Sequence, residues 1–215
     1  MFPQKFRVGL EVIGISKYFY DKETANLEAF FSADLTEKFS AIFIAGGSDY
    51  SYSRYRDASF MMYDFNVKGI YFKAGVDANL LNPKKAAGTY SFGVGVRYGV
   101  TSYSYDISGI NRENYWGHSE ISVPSNNALA HYFEVVPSIR AEIIKNLSLG
   151  WSIGLRKMIY SGTSKDEIPL YLPGYGAGTK SISPAVSYFV IWNIPYKMRR
   201  VIIPPKYVAE DDEGN

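Results

Sequence analysis

Leu147-Ser148-Leu149-Gly150-Trp151-Ser152-Ile153-Gly154-Leu155, followed by Arg156, alternates without a fault. Leu147, Leu149, Trp151, Ile153 and Leu155 fall on one face of an extended chain, and Ser148, Gly150, Ser152 and Gly154 fall on the other. Successive side chains of a strand point to opposite faces, so this period of two predicts a β-strand with one apolar face. The second face is small as well as polar. That combination suits the inside of a narrow barrel, where eight strands leave room only for packed side chains.

Working outward, Tyr90–Val100 repeats the pattern. Tyr90, Phe92, Val94, Val96, Tyr98 and Val100 alternate with Ser91, Gly93, Gly95, Arg97 and Gly99. Six further segments fit the same template: Phe6–Ser16, Ala25–Leu35, Phe39–Gly47, Ile70–Ala78, Phe133–Ile143 and Ile182–Ile194. Phe30 breaks the alternation of the second strand. Pro137 and Pro184 each remove a ladder hydrogen bond and predict bulges. The fourth strand starts near Phe60, and its parity flips around Gly69, where Phe65 and Val67 fall out of phase. A bulge at Gly69 would account for that.

Eight strands is the even number that a single-chain bacterial barrel needs. The links Leu35–Lys38, Asn79–Gly88 and Lys145–Asn146 are short or compact. Gly47–Ser59, Asp106–Ala130 and Ser161–Lys180 are long and polar, and Ser16–Thr24 is intermediate. With both termini periplasmic, the short links fall on the periplasmic side and the longer ones outside. The expected organisation is a transmembrane barrel over 1–196 and a periplasmic C-terminal tail over 197–215, where Pro204-Pro205 precedes Glu210-Asp211-Asp212-Glu213. No signal peptide is visible at Met1–Lys5, which leads straight into strand-like sequence. The numbered chain is therefore read as a mature form.

Composition points the same way. The chain of 215 residues carries 19 Tyr, 13 Phe, 3 Trp and 19 Gly, and no Cys. The missing thiols exclude a disulfide framework and a thiolate metal site. A formal net charge of +2 argues against a nucleic-acid surface. No apolar run is long enough for a transmembrane helix. Phe39, Trp192 and Tyr196 stand near one end of the strands. Tyr50, Tyr52, Tyr55, Tyr103, Tyr105, Tyr132 and Tyr160 stand near the other, as two interfacial girdles would.

The polar face decides which side meets lipid. Arg7, Lys73, Arg97, Arg140 and Arg156 stand against Glu11, Glu28, Asp34, Asp77, Glu134 and Glu142. A near-balance rich in Arg suits a buried ion-pair network, because an unpaired charge in a low-dielectric interior is costly. A solvated exterior would carry more Lys. The alternative is a soluble lipid-binding barrel with a Tyr-rich mouth, its apolar face turned inward.

Chemistry is sparse. A plugged eight-stranded lumen argues against porin-like transport. The inward charges could form a proton relay, but structural pairing explains them more simply. His118, beside Ser119 and Glu120, and His131, near Glu134, are the candidates for an outer-leaflet lipid-modifying enzyme. Such a Ser–His–carboxylate set needs spatial convergence. No phosphate loop, metal-ligand cluster or nucleotide fingerprint is present, so no cofactor is expected. Gly174-Tyr175-Gly176-Ala177-Gly178 reads as a flexible outer loop. Tyr115, Trp116 and His118, with Tyr171, Leu172 and Tyr175, are candidate partner contacts on exposed loops, which would also suit a surface adhesin. The alternative is loops packed on one another over the barrel mouth.

Several segments together resemble a family of small outer-membrane barrels from Bacteroidota. They include Glu134-Val135-Val136, Ile139-Arg140-Ala141-Glu142, Lys145-Asn146-Leu147-Ser148-Leu149-Gly150 and Leu170-Tyr171-Leu172-Pro173-Gly174. Phe65-Asn66-Val67-Lys68-Gly69 and Val96-Arg97-Tyr98-Gly99 belong with them. The resemblance runs from Phe6 to Pro195 and leaves out the acidic tail. It implies an integral outer-membrane protein without a catalytic motif, surrounded by outer-membrane lipid and lipopolysaccharide. It also implies a structural or accessory role beside other outer-membrane proteins or lipoproteins, plausibly in the machinery that inserts barrels.

Overall fold

The computed structural model describes residues 2–20, 24–57, 60–81, 89–114, 117–163 and 169–199. The main strands are β1 (Phe2–Glu11), β2 (Thr24–Asp34), β3 (Phe39–Asp57), β4 (Phe60–Asn79), β5 (Tyr90–Asn114), β6 (Gly117–Ile144), β7 (Leu147–Tyr160) and β10 (Ile182–Arg199). They pair antiparallel with sequential neighbours, and β1 pairs with β10 to close the cylinder. One helix, α1 (Val12–Tyr20), follows β1. Two short strands, β8 (Tyr171–Leu172) and β9 (Gly176–Ala177), form a separate hairpin.

The pleat sorts the side chains as in a membrane-spanning barrel. Along β4, Ile70 and Phe72 are 56% and 58% exposed, while their neighbours Tyr71 and Lys73 are 1% and 3% exposed. Val8, Leu27, Phe43, Val96, Trp151 and Val186 also point outward. The outward positions of β4 stay apolar from Ile70 to Ala78. Eight rises of 3.4 Å make about 27 Å along the strand, or about 20 Å along the axis at the usual barrel tilt. That is most of the apolar band, about 25 Å tall, that a lipid-facing barrel wall presents.

Several strand boundaries differ from expectation. The predicted links Gly47–Ser59 and Asp106–Ala130 are mostly paired strand. The β3–β4 ladder continues to Asp57↔Phe60, and the β5–β6 ladder to Asn114↔Gly117. The last strand runs on to Arg199, three residues past the expected end of the barrel, and the remaining tail lies outside the described residues. β1 stops at Glu11, because Val12–Tyr20 is helical. The Glu11 carboxylate accepts hydrogen bonds from the N–H groups of Ile13 and Gly14 at 2.8 and 2.6 Å, which satisfies the first orphan donors of that helix.

None of the three predicted bulges occurs. The β4–β5 register runs unbroken through Gly69, from Asp64↔Ser108 to Asn79↔Gly93. Phe65 and Val67 hold the same parity as Tyr71 and Lys73 and point into the barrel, at 0% and 1% exposure. Pro137 keeps the β5–β6 register. Pro184 pairs with Leu155 beyond the point where β1 ends, so it sits on an open strand edge, where a proline is tolerated. The register does shift between Gln4 and Lys5, opposite Pro195–Lys197.

Candidate functional site

The lumen is filled from end to end, and its contents are stacked in layers. Nearest the termini, Arg7 grips Asp34 through both guanidinium ends, with Nη2–Oδ2 at 2.8 Å. Ser40 donates to the same carboxylate at 2.7 Å. The Lys5 ammonium pairs with Glu142, whose other oxygen accepts the Asn146 N–H at 3.0 Å. Lys5 escaped the sequence reading, which began the first strand at Phe6. With it, the described lumen residues hold six buried or half-buried cations and six such anions, five of which pair with a cation.

Above this floor, Phe30, Ile42, Ile44, Phe189 and Ile191 form an apolar group on the β2, β3 and β10 side. Phe30 meets Phe189 edge-on, with centroids 5.1 Å apart. The fault in the β2 alternation is therefore an inward apolar layer. On the opposite wall Asp77 reaches Arg97 at 3.5 Å and Arg140 at 3.4 Å, tying the charged levels above and below.

The next level is the most deeply buried. Lys73 Nζ lies 2.9 Å from Glu28 and 3.7 Å from Glu134, and Arg156 Nε donates to Glu134 at 2.8 Å. The Tyr71 hydroxyl also donates to Glu28, at 2.9 Å. Each charge has an opposite partner within a few ångströms, as burial at this depth demands. Glu11 is the exception among the residues expected in the network. It is buried at 3%, yet among the described residues its carboxylate receives backbone N–H groups, including Tyr188 N at 3.5 Å, and no cation.

The roof is a plug. The segment Pro169–Lys180 folds back through the β8–β9 hairpin, and its tip enters the barrel mouth. Leu172 and Tyr175 are 0% exposed, in one apolar group with Phe65, Val67, Tyr103, Tyr105, Ala130 and Tyr132. Tyr171 stacks on Tyr50 with centroids 4.7 Å apart. Arg156 Nη1, rising from the charged level, donates to the Tyr175 carbonyl at 3.1 Å. Gly174 and Gly176 supply the turn at φ +72° and +105°. A Cβ on Gly174 would stand 2.4 Å from Tyr71 Cγ, so the turn needs glycine for space as well as for conformation.

This overturns three sequence expectations. Leu172 and Tyr175 are buried inside the mouth and offer a partner no surface in this conformation, while Tyr171 is half-buried against Tyr50. The glycine run is a packed turn. Tyr50, Tyr103, Tyr105 and Tyr132 point inward as the seat of the plug, so they are not an interfacial girdle. The missed signal was parity: Tyr103 and Tyr105 continue the inward phase of Arg97 and Gly99.

Large inward side chains fit because glycines face them. Gly9 pairs with Phe30, Gly46 with Tyr71 and Gly99 with Tyr132. In each case a Cβ on the glycine would lie 2.2–2.3 Å from the opposing ring.

Among the described residues, His131 meets no serine or carboxylate that would complete a catalytic set. His131 faces outward, its Nδ1 2.9 Å from the Tyr98 hydroxyl and its ring 6.3 Å from that of Tyr160. Glu134 lies on the opposite, inward face of the strand. Tyr115 and Trp116 fall outside the described residues. His118 pairs with Glu113 through the backbone, and its side chain also lies outside them. Among the described residues no group of three His, Asp or Glu could hold a metal ion.

A closed eight-stranded antiparallel barrel with an apolar exterior and a filled, charge-paired lumen is an outer-membrane-type fold. The chain belongs to the family described as Domain of unknown function (DUF6048), which matches residues 3–199. No curated protein matches the sequence. Among solved structures, the chain is similar to CarO2 of Acinetobacter baumannii, with 13% identity and a TM-score of 0.43 over 91% of this chain and 99% of that one. It is also similar to Ail, the attachment invasion locus protein of Yersinia pestis, solved with the heparin analogue sucrose octasulfate. There the identity is 8% and the TM-score 0.43, over 90% and 99% of the two chains. Neisserial surface protein A is similar at 10% identity and TM-score 0.37, over 90% and 95%.

Proposed function

We propose that this chain is a non-conducting, non-enzymatic barrel of a Gram-negative outer membrane, with both termini periplasmic. It serves there as a structural or accessory subunit of a larger outer-membrane complex. The observation that carries the reading is the sealed lumen. Two charged levels, an apolar layer and a folded plug occupy the whole axis, which leaves the outer wall and the two rims as working surfaces. Barrel and plug would then form a rigid body embedded in outer-membrane lipid and lipopolysaccharide. The machinery that inserts other barrels is the complex to which the Bacteroidota resemblance points.

Mild-detergent extraction of the tagged, membrane-inserted protein tests this. A stoichiometric membrane protein or lipoprotein should accompany it, and recovery of the barrel alone would count against an accessory role. A second reading, a surface-binding barrel, draws on the tall β5–β6 hairpin, whose paired strands rise well above the apolar belt. If shortening that hairpin left all surface binding intact, this second reading would fall.

A further inference from the structure

Lys157 interrupts the apolar exterior of β7. It is exposed, and strand pairing sets it between Phe133 of β6 and Ile182 of β10. The exposed residues two positions to either side, Leu155 and Ile159, are apolar. Among the described residues its ammonium meets no carboxylate, and Nζ donates to the Ser181 hydroxyl at 2.6 Å. Lys68, on the outward face of β4, differs in having Asp49 at 3.1 Å.

A charge on the lipid face is costly except near the edges of the belt. The height of Lys157 fits such an edge. Ten rises of 3.4 Å separate it from Leu147, the first residue of β7, or about 34 Å along the strand. At the usual barrel tilt that is about 25 Å along the axis, the full height of an apolar band. With both termini periplasmic, this is the outer edge, where lipopolysaccharide presents a phosphorylated sugar head.

Further donors gather beside the ammonium. Phe133 stands opposite Lys157, so His131, two residues on, is its diagonal neighbour at about 7–8 Å. The Tyr98 hydroxyl lies 2.9 Å from His131 Nδ1. With that hydroxyl donating, Nε2 keeps its hydrogen as a donor to an anion. The Tyr98 and Tyr160 rings flank the imidazole, with centroids 5.9 and 6.3 Å from it. Glu134, the nearest carboxylate in sequence, faces the lumen. The patch is therefore positive on its outward side, with an apolar floor below it, and it matches an anionic head with acyl chains. A single ammonium matches a single phosphate.

We propose that this patch binds one lipopolysaccharide molecule of the outer leaflet, with a phosphate of its head on Lys157 and His131 and an acyl chain along Phe133, Leu155 and Ile182. The proposal rests on the reading of the barrel as membrane-inserted with periplasmic termini.

Native mass spectrometry of the detergent-released, delipidated barrel, titrated with monophosphoryl lipid A or with the same lipid after phosphatase treatment, tests it. A single saturable monophosphoryl adduct is expected, roughly tenfold tighter than the dephosphorylated lipid, as one charge-assisted contact would give. Lys157→Gln, an exposed change that leaves packing untouched, should erase the preference, and His131→Gln should weaken it. Lys68→Gln should leave it intact. A large excess of inorganic phosphate, which lacks the acyl contacts, should not displace the lipid. Equal binding of the two lipids by the parent, an undiminished preference in either site variant, a preference lost in Lys68→Gln, unsaturable binding, or displacement by inorganic phosphate would each overturn the site. Heat-modifiable gel migration, run alongside, separates the two claims: its absence in the parent protein overturns the membrane barrel itself, whereas its presence with any of those results overturns only the lipid site.

Discussion

The Tyr132 hydroxyl donates a 2.8 Å hydrogen bond to the Gly174 carbonyl, and so fastens the plug to the barrel wall. Both groups are buried. The same tyrosine ring lies over Gly99 on the neighbouring strand, so one side chain fills the wall and holds the roof.

Removing that hydroxyl should loosen the roof and spare the barrel. Tyr132→Phe leaves a buried carbonyl without its donor, at about 1–3 kcal/mol. Gly174→Ala should do more, because the residue sits at φ +72° and its Cβ would collide with Tyr71. Hydrogen exchange over residues 169–180 should quicken in both variants, with exchange in β4–β6 unchanged. Equal protection of the plug in both variants and parent would contradict the anchoring role.

Charge pairing at the Glu134 level should dominate stability. Glu134→Ala leaves the Arg156 guanidinium without its carboxylate and takes one of two carboxylates from Lys73 and from Arg97, a change worth about 3–5 kcal/mol. Urea unfolding in lipid vesicles, followed by tryptophan fluorescence, reads this directly. A loss below about 1 kcal/mol would mean that water screens the level and that the lumen is wetter than its packing implies.

Gly9 and Phe30 should behave as a coupled pair. Phe30→Ala opens a cavity in the apolar layer, at about 3–5 kcal/mol. Gly9→Ala drives a methyl group into the Phe30 ring and should destabilise as well. With the ring gone the methyl has room, so the double variant should cost clearly less than the two single changes together. Strict additivity in the same unfolding assay would show that the two residues do not meet.

Taking out the plug should not make a pore. With residues 170–178 deleted, the charged levels and the Phe30–Phe189 layer still block the axis. Planar-bilayer recordings are expected to stay silent for both the parent and the deletion. A unit conductance in the deletion alone would make the plug the gate of a channel.

Most of the wall was legible because a lipid-facing strand writes its period directly into the chain. Leu147–Leu155 and Tyr90–Val100 needed no context. The failures have a common cause. Val12–Ser16, with Val12, Ile13 and Ile15, reads as the end of the first strand, and the residues to Tyr20 read as part of a link, yet Glu11 caps Val12–Tyr20 as a helix where β1 ends, and tertiary context overrides propensity. Phe65, Val67, Phe30 and the inward tyrosines were misplaced because a lumen was assumed to be polar throughout. In this barrel the inward face is apolar wherever it meets the plug or the middle layer. Whether Leu172 and Tyr175 lie in the mouth or over it depends on contacts with Tyr132 and Arg156, distant in sequence, and no local pattern records those.

The proposed role of this chain requires a barrel inserted in the membrane with its apolar face in lipid. Extraction of the outer-membrane fraction, with gel migration compared before and after boiling in SDS, tests that most directly. The account predicts that the protein fractionates with the membrane and that its unboiled, folded form migrates apart from the boiled chain. A water-soluble protein whose migration is the same in both lanes would contradict it.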